Sequence, residues 1–123
     1  MTFNWLEYLI LAQKLAGTRE NPANEAEMRS AISRAYYAAM IQSRNFLFER
    51  DKLLIPTQNT HQYVMNQYRN SSNKNRKKIG ERLRRLRGYR NQADYDDTVK
   101  NLSNKTQEAL TLARRIISGL DSL

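Results

Sequence analysis

Arg90 lies where the spacing of a helix predicts an apolar residue. In the segment LRGYRNQADYDD, residues 86–97, it continues an apolar stripe at about 100° per residue. That stripe consists of Ile79, Leu83 and Leu86. A charged group on such a stripe must be paired, reach a cleft or face another subunit. Two interpretations stay open: an ion pair with Asp94 that closes the core, or a guanidinium held in a cleft to bind phosphate bidentately.

His61 is the only histidine in the chain and the only side chain whose ordinary pKa lies near neutrality. It shares a predicted helix face with Val64, Met65 and Tyr68. That setting is typical of a packing or capping residue. If its helix packs beside the helix of Arg90, however, His61 becomes a candidate acid or base.

The positive charge is confined to one segment. The segment from Arg69 to Arg90 contains ten Lys or Arg and a single acid, Glu81. Its net charge of +9 equals that of the whole chain. Such concentration favours a surface facing a polyanion, although a basic face that only aids solubility is the alternative. The candidate nucleic-acid contacts are Lys77, Lys78, Arg82, Arg84, Arg85 and Arg87.

Other kinds of site are poorly represented. The chain has no cysteine, so disulfides and cysteine-ligated metals are excluded, and it has no Gly-rich phosphate loop. Asp94, Asp96 and Asp97 form an acidic trio that either ends a helix or binds Mg²⁺, and the first is the commoner role. We expect neither a metal nor a cofactor.

The pattern predicts an all-α protein with a single domain over residues 1–123. The expected architecture is an up-and-down bundle of four long helices with one shorter helix. Gly17 is the expected stop of the first helix and Asn24 the N-cap of the second. Gly80 and Gly88, inside the fourth helix, indicate close packing, backbone access or a break. The helices are expected at about Phe3–Ala16, Glu25–Glu49, from Thr60, Arg76–Asp94 and Thr98–Leu120.

The first residues, MTFNWLEYLILAQKLAG, contain a short apolar run interrupted by polar residues, without a basic leader. This is not the pattern of a signal peptide, and no stretch approaches the ~18 apolar residues of a membrane span. The sequence therefore predicts a soluble, cytoplasmic protein without membrane association.

Three motifs together resemble a known family. SRAYYAA at residues 33–39, TH at 60–61 and RNQADY at 90–95 are similar to small prokaryotic stand-alone members of the HEPN superfamily. The resemblance implies an up-and-down helical bundle that forms a homodimer with a cleft between subunits. It also implies RNA as the ligand, because many members are metal-independent ribonucleases. Several are toxins paired with a nucleotidyltransferase antitoxin, and others act in phage defence.

The active-site signature of that superfamily is an arginine, then a polar residue, then a histidine four to six residues after the arginine. Arg90 and Asn91 match its first part, whereas Tyr95 begins a Tyr-Asp-Asp sequence where the histidine would fall. One reading is a metal-independent endoribonuclease using Arg90, Asn91, His61 and Tyr95, with Tyr95 also the candidate for modification with AMP by the partner. The other is a catalytically inactive module that docks a nucleotidyltransferase or holds nucleic acid or nucleotide.

Overall fold

The computed structural model describes residues 2–123, which form five α-helices. Within that range there is no β-strand, only an isolated bridge between Gly17 and Pro22. The helices are α1 (Leu6–Leu15), α2 (Glu25–Glu49), α3 (Thr60–Arg69), α4 (Lys74–Tyr95) and α5 (Leu102–Asp121).

Helix α2 begins with a reciprocal cap. The side chain of Asn24 accepts a hydrogen bond from the backbone N–H of Glu27 at 2.8 Å, and the carboxylate of Glu27 accepts one from the Asn24 N–H at 2.9 Å. This arrangement satisfies two donors that a helix start otherwise leaves free. It confirms Asn24 as the N-cap and fixes the register of the longest helix.

Helix α2 is the centre of the bundle, because it packs against α1, α4 and α5 and also touches α3. Ala35 and Ala39 are fully buried on its inner face, where their small side chains let neighbouring helices approach. Tyr36 and Leu47 are larger side chains of the same helix, and they too are buried. The core therefore alternates small and large residues along one helix, which is how interdigitating layers reach the density of a protein interior.

Helices α3 and α4 pack closely at Gly80. A Cβ atom built on this glycine would lie 2.6 Å from the backbone nitrogen of Arg69. No other residue type fits at that distance, so Gly80 sets the separation of the two helices. Close packing is thus the reason for this glycine, and α4 continues through it without a break.

The expectation of an all-helical bundle is confirmed, with differences at the helix ends. Helix α1 begins at Leu6, later than expected, and has ten residues, so the bundle has three long helices and two short ones. Helix α5 begins at Leu102 because Asn101 before it has a left-handed backbone, with φ of 55°. Gly17, with φ of 75°, follows the end of α1 as expected.

None of the helices between residues 2 and 123 is both long enough and apolar enough to cross a bilayer.

Replacing Gly80 by alanine should lower the free energy of unfolding by about 1–3 kcal/mol, because the new methyl group collides with the backbone of Arg69. Urea denaturation measures this directly. Gly119→Ala is the matched control, since its Cβ would lie 3.4 Å from the Ile79 side chain, an ordinary contact. That variant should gain up to about 1 kcal/mol from helix propensity. Equal effects of the two substitutions would contradict the assignment of Gly80.

Candidate functional site

The packing of α2 against α4 encloses the guanidinium of Arg90. Its side chain is only 12% exposed. Nη2 donates a hydrogen bond to the hydroxyl of Tyr37 on α2, and Nη1 donates one to the side chain of Asn91, both at 2.8 Å. Burial works against the charge, but the hydrogen bond to Tyr37 and the nearby Asp94 leave the pKa of Arg90 raised. Arg90 is therefore a permanent cation inside the bundle wall.

The expected partner of Arg90 is present as an ion pair. Nε of Arg90 lies 3.4 Å from Oδ2 of Asp94, yet this buried nitrogen makes no hydrogen bond within residues 2–123. The distance gives attraction without the geometry of a hydrogen bond. The same carboxylate oxygen accepts a long hydrogen bond, 3.4 Å, from the hydroxyl of Ser33 on α2. Asp94 thus links the two helices as well as balancing the charge.

Aromatic rings supply the rest of the environment of Arg90. The guanidinium carbon lies 5.1 Å from the ring centroid of Tyr36, 5.3 Å from that of Tyr37 and 5.9 Å from that of Tyr95. Ring faces attract a cation at these distances, and the attraction is strongest where water is excluded. Both tyrosines of the SRAYYAA motif therefore hold the arginine of the RNQADY motif.

His61 joins this cluster through Tyr36. The Tyr36 hydroxyl and Nδ1 of His61 are 2.7 Å apart, and burial raises the pKa of Tyr36 to about 12, so the phenol stays neutral. The pKa of His61 is lowered, first by burial and then by the charges of Arg90, Arg87 and Arg44. His61 is accordingly a neutral imidazole at physiological pH, held through one ring nitrogen.

A cavity of about 470 Å³ opens beside His61. Two cationic side chains, Arg44 from α2 and Arg87 from α4, line it. Its other walls are hydroxyl and amide side chains, with no carboxylate among them. The lining residues are Arg44, Thr57, Asn59, Thr60, His61, Gln62 and Arg87. A cavity of this composition suits an anion carrying polar groups.

Arg87 is fixed at the wall of that cavity. Its Nη1 donates a hydrogen bond of 3.2 Å to the side-chain oxygen of Gln62, whose own amide nitrogen donates to Asn66 at 3.0 Å. Its Nε is buried and has no partner in the described part of the chain. A buried donor without a partner costs free energy.

The end of α4 is held by a side chain of α2. Arg29 donates hydrogen bonds to the carbonyl oxygens of Ala93 at 3.1 Å, Asp96 at 2.6 Å and Asp97 at 3.1 Å. The last carbonyl groups of a helix lack partners within the helix, so a guanidinium placed there satisfies several at once. This clamp keeps the turn that carries Asp94 next to Arg90.

The candidate residues divide into two groups. The structure brings Arg90, Asn91, Asp94 and His61 together around Tyr36 and Tyr37, with Arg87 at the adjoining cavity. The other candidate basic residues lie on the remaining surface of α4 and are exposed except for the half-buried Arg82. They are Lys77, Lys78, Arg82, Arg84 and Arg85.

Tyr95 is 73% exposed and lies at the edge of the cluster. The acidic trio at 94, 96 and 97 is exposed, and no three histidine or acidic side chains of residues 2–123 gather as metal ligands.

Several residues of the site are not predictable from the sequence. Tyr37 bonds to Arg90 on α4, a residue 53 positions further along the chain. The hydrogen bonds of Arg29 and Gln62 join residues 25 to 68 positions apart, and Arg44 meets Arg87 of another helix at the cavity, so helical periodicity carries no signal for them. Their polar types alone do not distinguish them from solvated surface residues.

The protonation of His61 tests this electrostatic environment. In Arg90→Gln the pKa of His61 should rise toward its ordinary value, because a nearby positive charge is removed while burial remains. NMR titration of the imidazole measures it. Arg84→Gln, on the outer surface of α4, should leave the titration unchanged. An unchanged midpoint in Arg90→Gln would show that Arg90 does not act on His61.

Comparison with known proteins identifies one family. The family model described as "HEPN domain" matches residues 11–123. Neither the curated proteins nor the solved structures give a significant match. The match covers nearly the whole of the described bundle, including the cluster around Arg90 and His61. Together with the five-helix fold, it shows that the chain belongs to the HEPN domain family.

Proposed function

We propose that this protein is an RNA-directed HEPN protein that cleaves RNA without a metal ion, at the face formed by His61, Arg87 and Arg90. The observation that carries the proposal is a neutral imidazole, fixed by Tyr36, at the mouth of a cavity lined by two arginines. An uncharged base beside cationic groups is what phosphodiester cleavage at a 2′-hydroxyl requires.

Binding begins with the phosphate. Arg87 and Arg44 come from different helices and face one cavity, so together they can contact the oxygens of one phosphate or of two neighbouring phosphates. The lack of a carboxylate in the lining leaves this charge uncompensated within the cavity. The volume of about 470 Å³ is within the range of cavities that hold small ligands. A single nucleotide unit of an RNA strand therefore suits it.

The chemistry uses the free nitrogen of His61. With Nδ1 bonded to Tyr36, Nε2 makes no hydrogen bond within residues 2–123. In the tautomer with Nδ1–H donating to the Tyr36 oxygen, Nε2 accepts the proton of the 2′-hydroxyl. The 2′-oxygen then bonds to phosphorus, the bond to the 5′-oxygen breaks, and this oxygen takes a proton from solvent. The products are a 2′,3′-cyclic phosphate and a 5′-hydroxyl.

Arg90 acts in this scheme through its charge and its contacts. Its guanidinium is bonded to Tyr37 and Asn91, so it stays in place while the substrate changes. Its charge favours the neutral imidazole of His61 and stabilises the negative phosphorane. Asp94 holds Arg90 in position from the other side.

The biological setting follows the family. HEPN domains are often ribonuclease toxins or nucleotide-binding modules, and they often dimerise and bind RNA. We propose a cytoplasmic homodimer that serves as the toxin of a toxin–antitoxin pair or of a phage-defence system. The exposed hydroxyphenyl group of Tyr95 makes it the candidate for modification by a nucleotidyltransferase antitoxin.

A second candidate function is a catalytically inactive module that holds RNA or nucleotide or docks a nucleotidyltransferase. The segment Tyr-Asp-Asp at 95–97 favours it, because the family signature has a histidine there. The engagement of Arg90 with protein groups favours it too. Such a module would bind RNA with an affinity that falls steeply with salt and would release no fragments.

Incubation of the purified protein with RNA in EDTA should yield fragments ending in 2′,3′-cyclic phosphate. His61→Ala should lower the cleavage rate by about 10²–10⁴-fold, because the general base is lost. End-group analysis and single-turnover kinetics measure both effects. Gln67→Ala, an exposed change on the same helix, is the control and should cleave normally. RNA that is bound but left intact by the wild type would rule out the ribonuclease and support the binding module.

The pH dependence of cleavage follows from the lowered pKa of His61. Only the neutral imidazole accepts a proton. An ordinary histidine has a pKa of about 6.5, and the lowered pKa of His61 keeps its imidazole neutral below that value. The cleavage rate should therefore fall only at a pH below the ordinary histidine pKa. In Arg90→Gln the acid limb of the single-turnover profile should move to higher pH. A wild-type limb above the ordinary histidine pKa would contradict His61 as the base.

A further inference from the structure

Gly88 is a glycine in the interior of α4 that the fold itself does not require. A Cβ atom at this position would have no heavy atom within 4 Å, and the residue is exposed. Its backbone φ is not in the left-handed region, so alanine would be tolerated there. Glycine destabilises a helix interior, and here no packing inside the chain compensates for it. Gly80, where α3 approaches, shows the opposite situation on the same helix.

The missing side chain leaves a shallow depression of about 220 Å³ on the outer surface of α4. It is lined by Arg84, Arg85, Gly88, Tyr89 and Gln92. Both arginines form ion pairs, Arg84 with Glu81 and Arg85 with Glu108. These pairs are about half exposed to solvent, so replacing a carboxylate by a phosphate there costs little.

The depression and the cavity at His61 are lined by neighbouring residues of α4. Arg84 lies three residues before Arg87 and four before Gly88, which makes it a neighbour of both on the helix surface. Arg87 lines the cavity and Arg84 lines the depression. Cationic side chains thus extend along α4 from the cavity to the depression.

We propose that Gly88 is the point where an RNA strand, leaving the cavity at His61, crosses α4 with its sugar–phosphate backbone close to the helix. This inference rests on the proposed binding of RNA, and it adds the path of the strand. The lining favours RNA over a protein partner, because its only apolar group is the half-buried Tyr89. Protein interfaces have an apolar centre, and the large exposed apolar side chains of residues 2–123, such as Phe48 and Leu54, are not in this lining.

Two substitutions test the crossing, Gly88→Ala and Gly88→Gln. Both should raise the melting temperature by about 3–5 °C, because a better helix former replaces glycine. Both should also weaken the binding of a 2′-deoxy-substituted, non-cleavable octanucleotide, and the longer glutamine should weaken it by roughly fivefold or more. Binding of the corresponding dinucleotide, which fills only the cavity, should stay unchanged. Fluorescence anisotropy measures both affinities.

Ser118→Gln, which adds a similar side chain to an exposed position of α5, should leave both affinities unchanged. If the wild type binds the octanucleotide and the Gly88 variants bind it equally well, the crossing is wrong while RNA binding stands. Equal weakening for dinucleotide and octanucleotide also overturns the crossing, because the effect then lies in the cavity. If the wild type binds neither oligonucleotide, RNA binding itself fails and the crossing fails with it.

Discussion

The enclosed guanidinium of Arg90 is the interaction on which the arrangement depends. A charge with so little access to water must be compensated by its surroundings, and here one hydroxyl, one amide, one carboxylate and several aromatic rings do so together. These groups come from α2 and from the last turns of α4. The two helices must therefore pack in one relative position for the charge to be accommodated. The same packing places Tyr36 where it meets His61 of α3.

Burial and nearby charges together set the protonation states of Tyr36 and His61. Burial of Tyr36 keeps its phenol neutral, and burial of His61 with nearby arginines keeps the imidazole neutral. A neutral pair can exchange donor and acceptor roles, whereas a charged imidazole could not accept a proton from substrate. Two of the cations that favour this state, Arg44 and Arg87, also line the cavity. In the proposed mechanism the same two arginines bind the phosphate.

Much of the fold follows from local sequence patterns. The observed bounds of α2 agree with the expected ones because Asn24 and Glu27 form a cap that is recognisable from their spacing. Arg90 could be singled out because helical periodicity predicts an apolar residue at its position. The start of α5 was misplaced because the left-handed backbone of Asn101 leaves little trace in the pattern. The cavity at His61 was not predictable. It depends on which faces of three helices meet, and periodicity does not specify that.

The clamp of Arg29 has a consequence for how the end of α4 is set. Because a side chain of α2 binds the final carbonyl groups of α4, the helix that carries Arg90 ends at a point fixed from upstream in the chain. The connection to α5 is held by different contacts: Val99 packs against the core, and Asn101 has a left-handed backbone before α5. The end of α4 and the start of α5 are thus fixed independently, so the turn that carries Asp94 does not depend on how α5 begins.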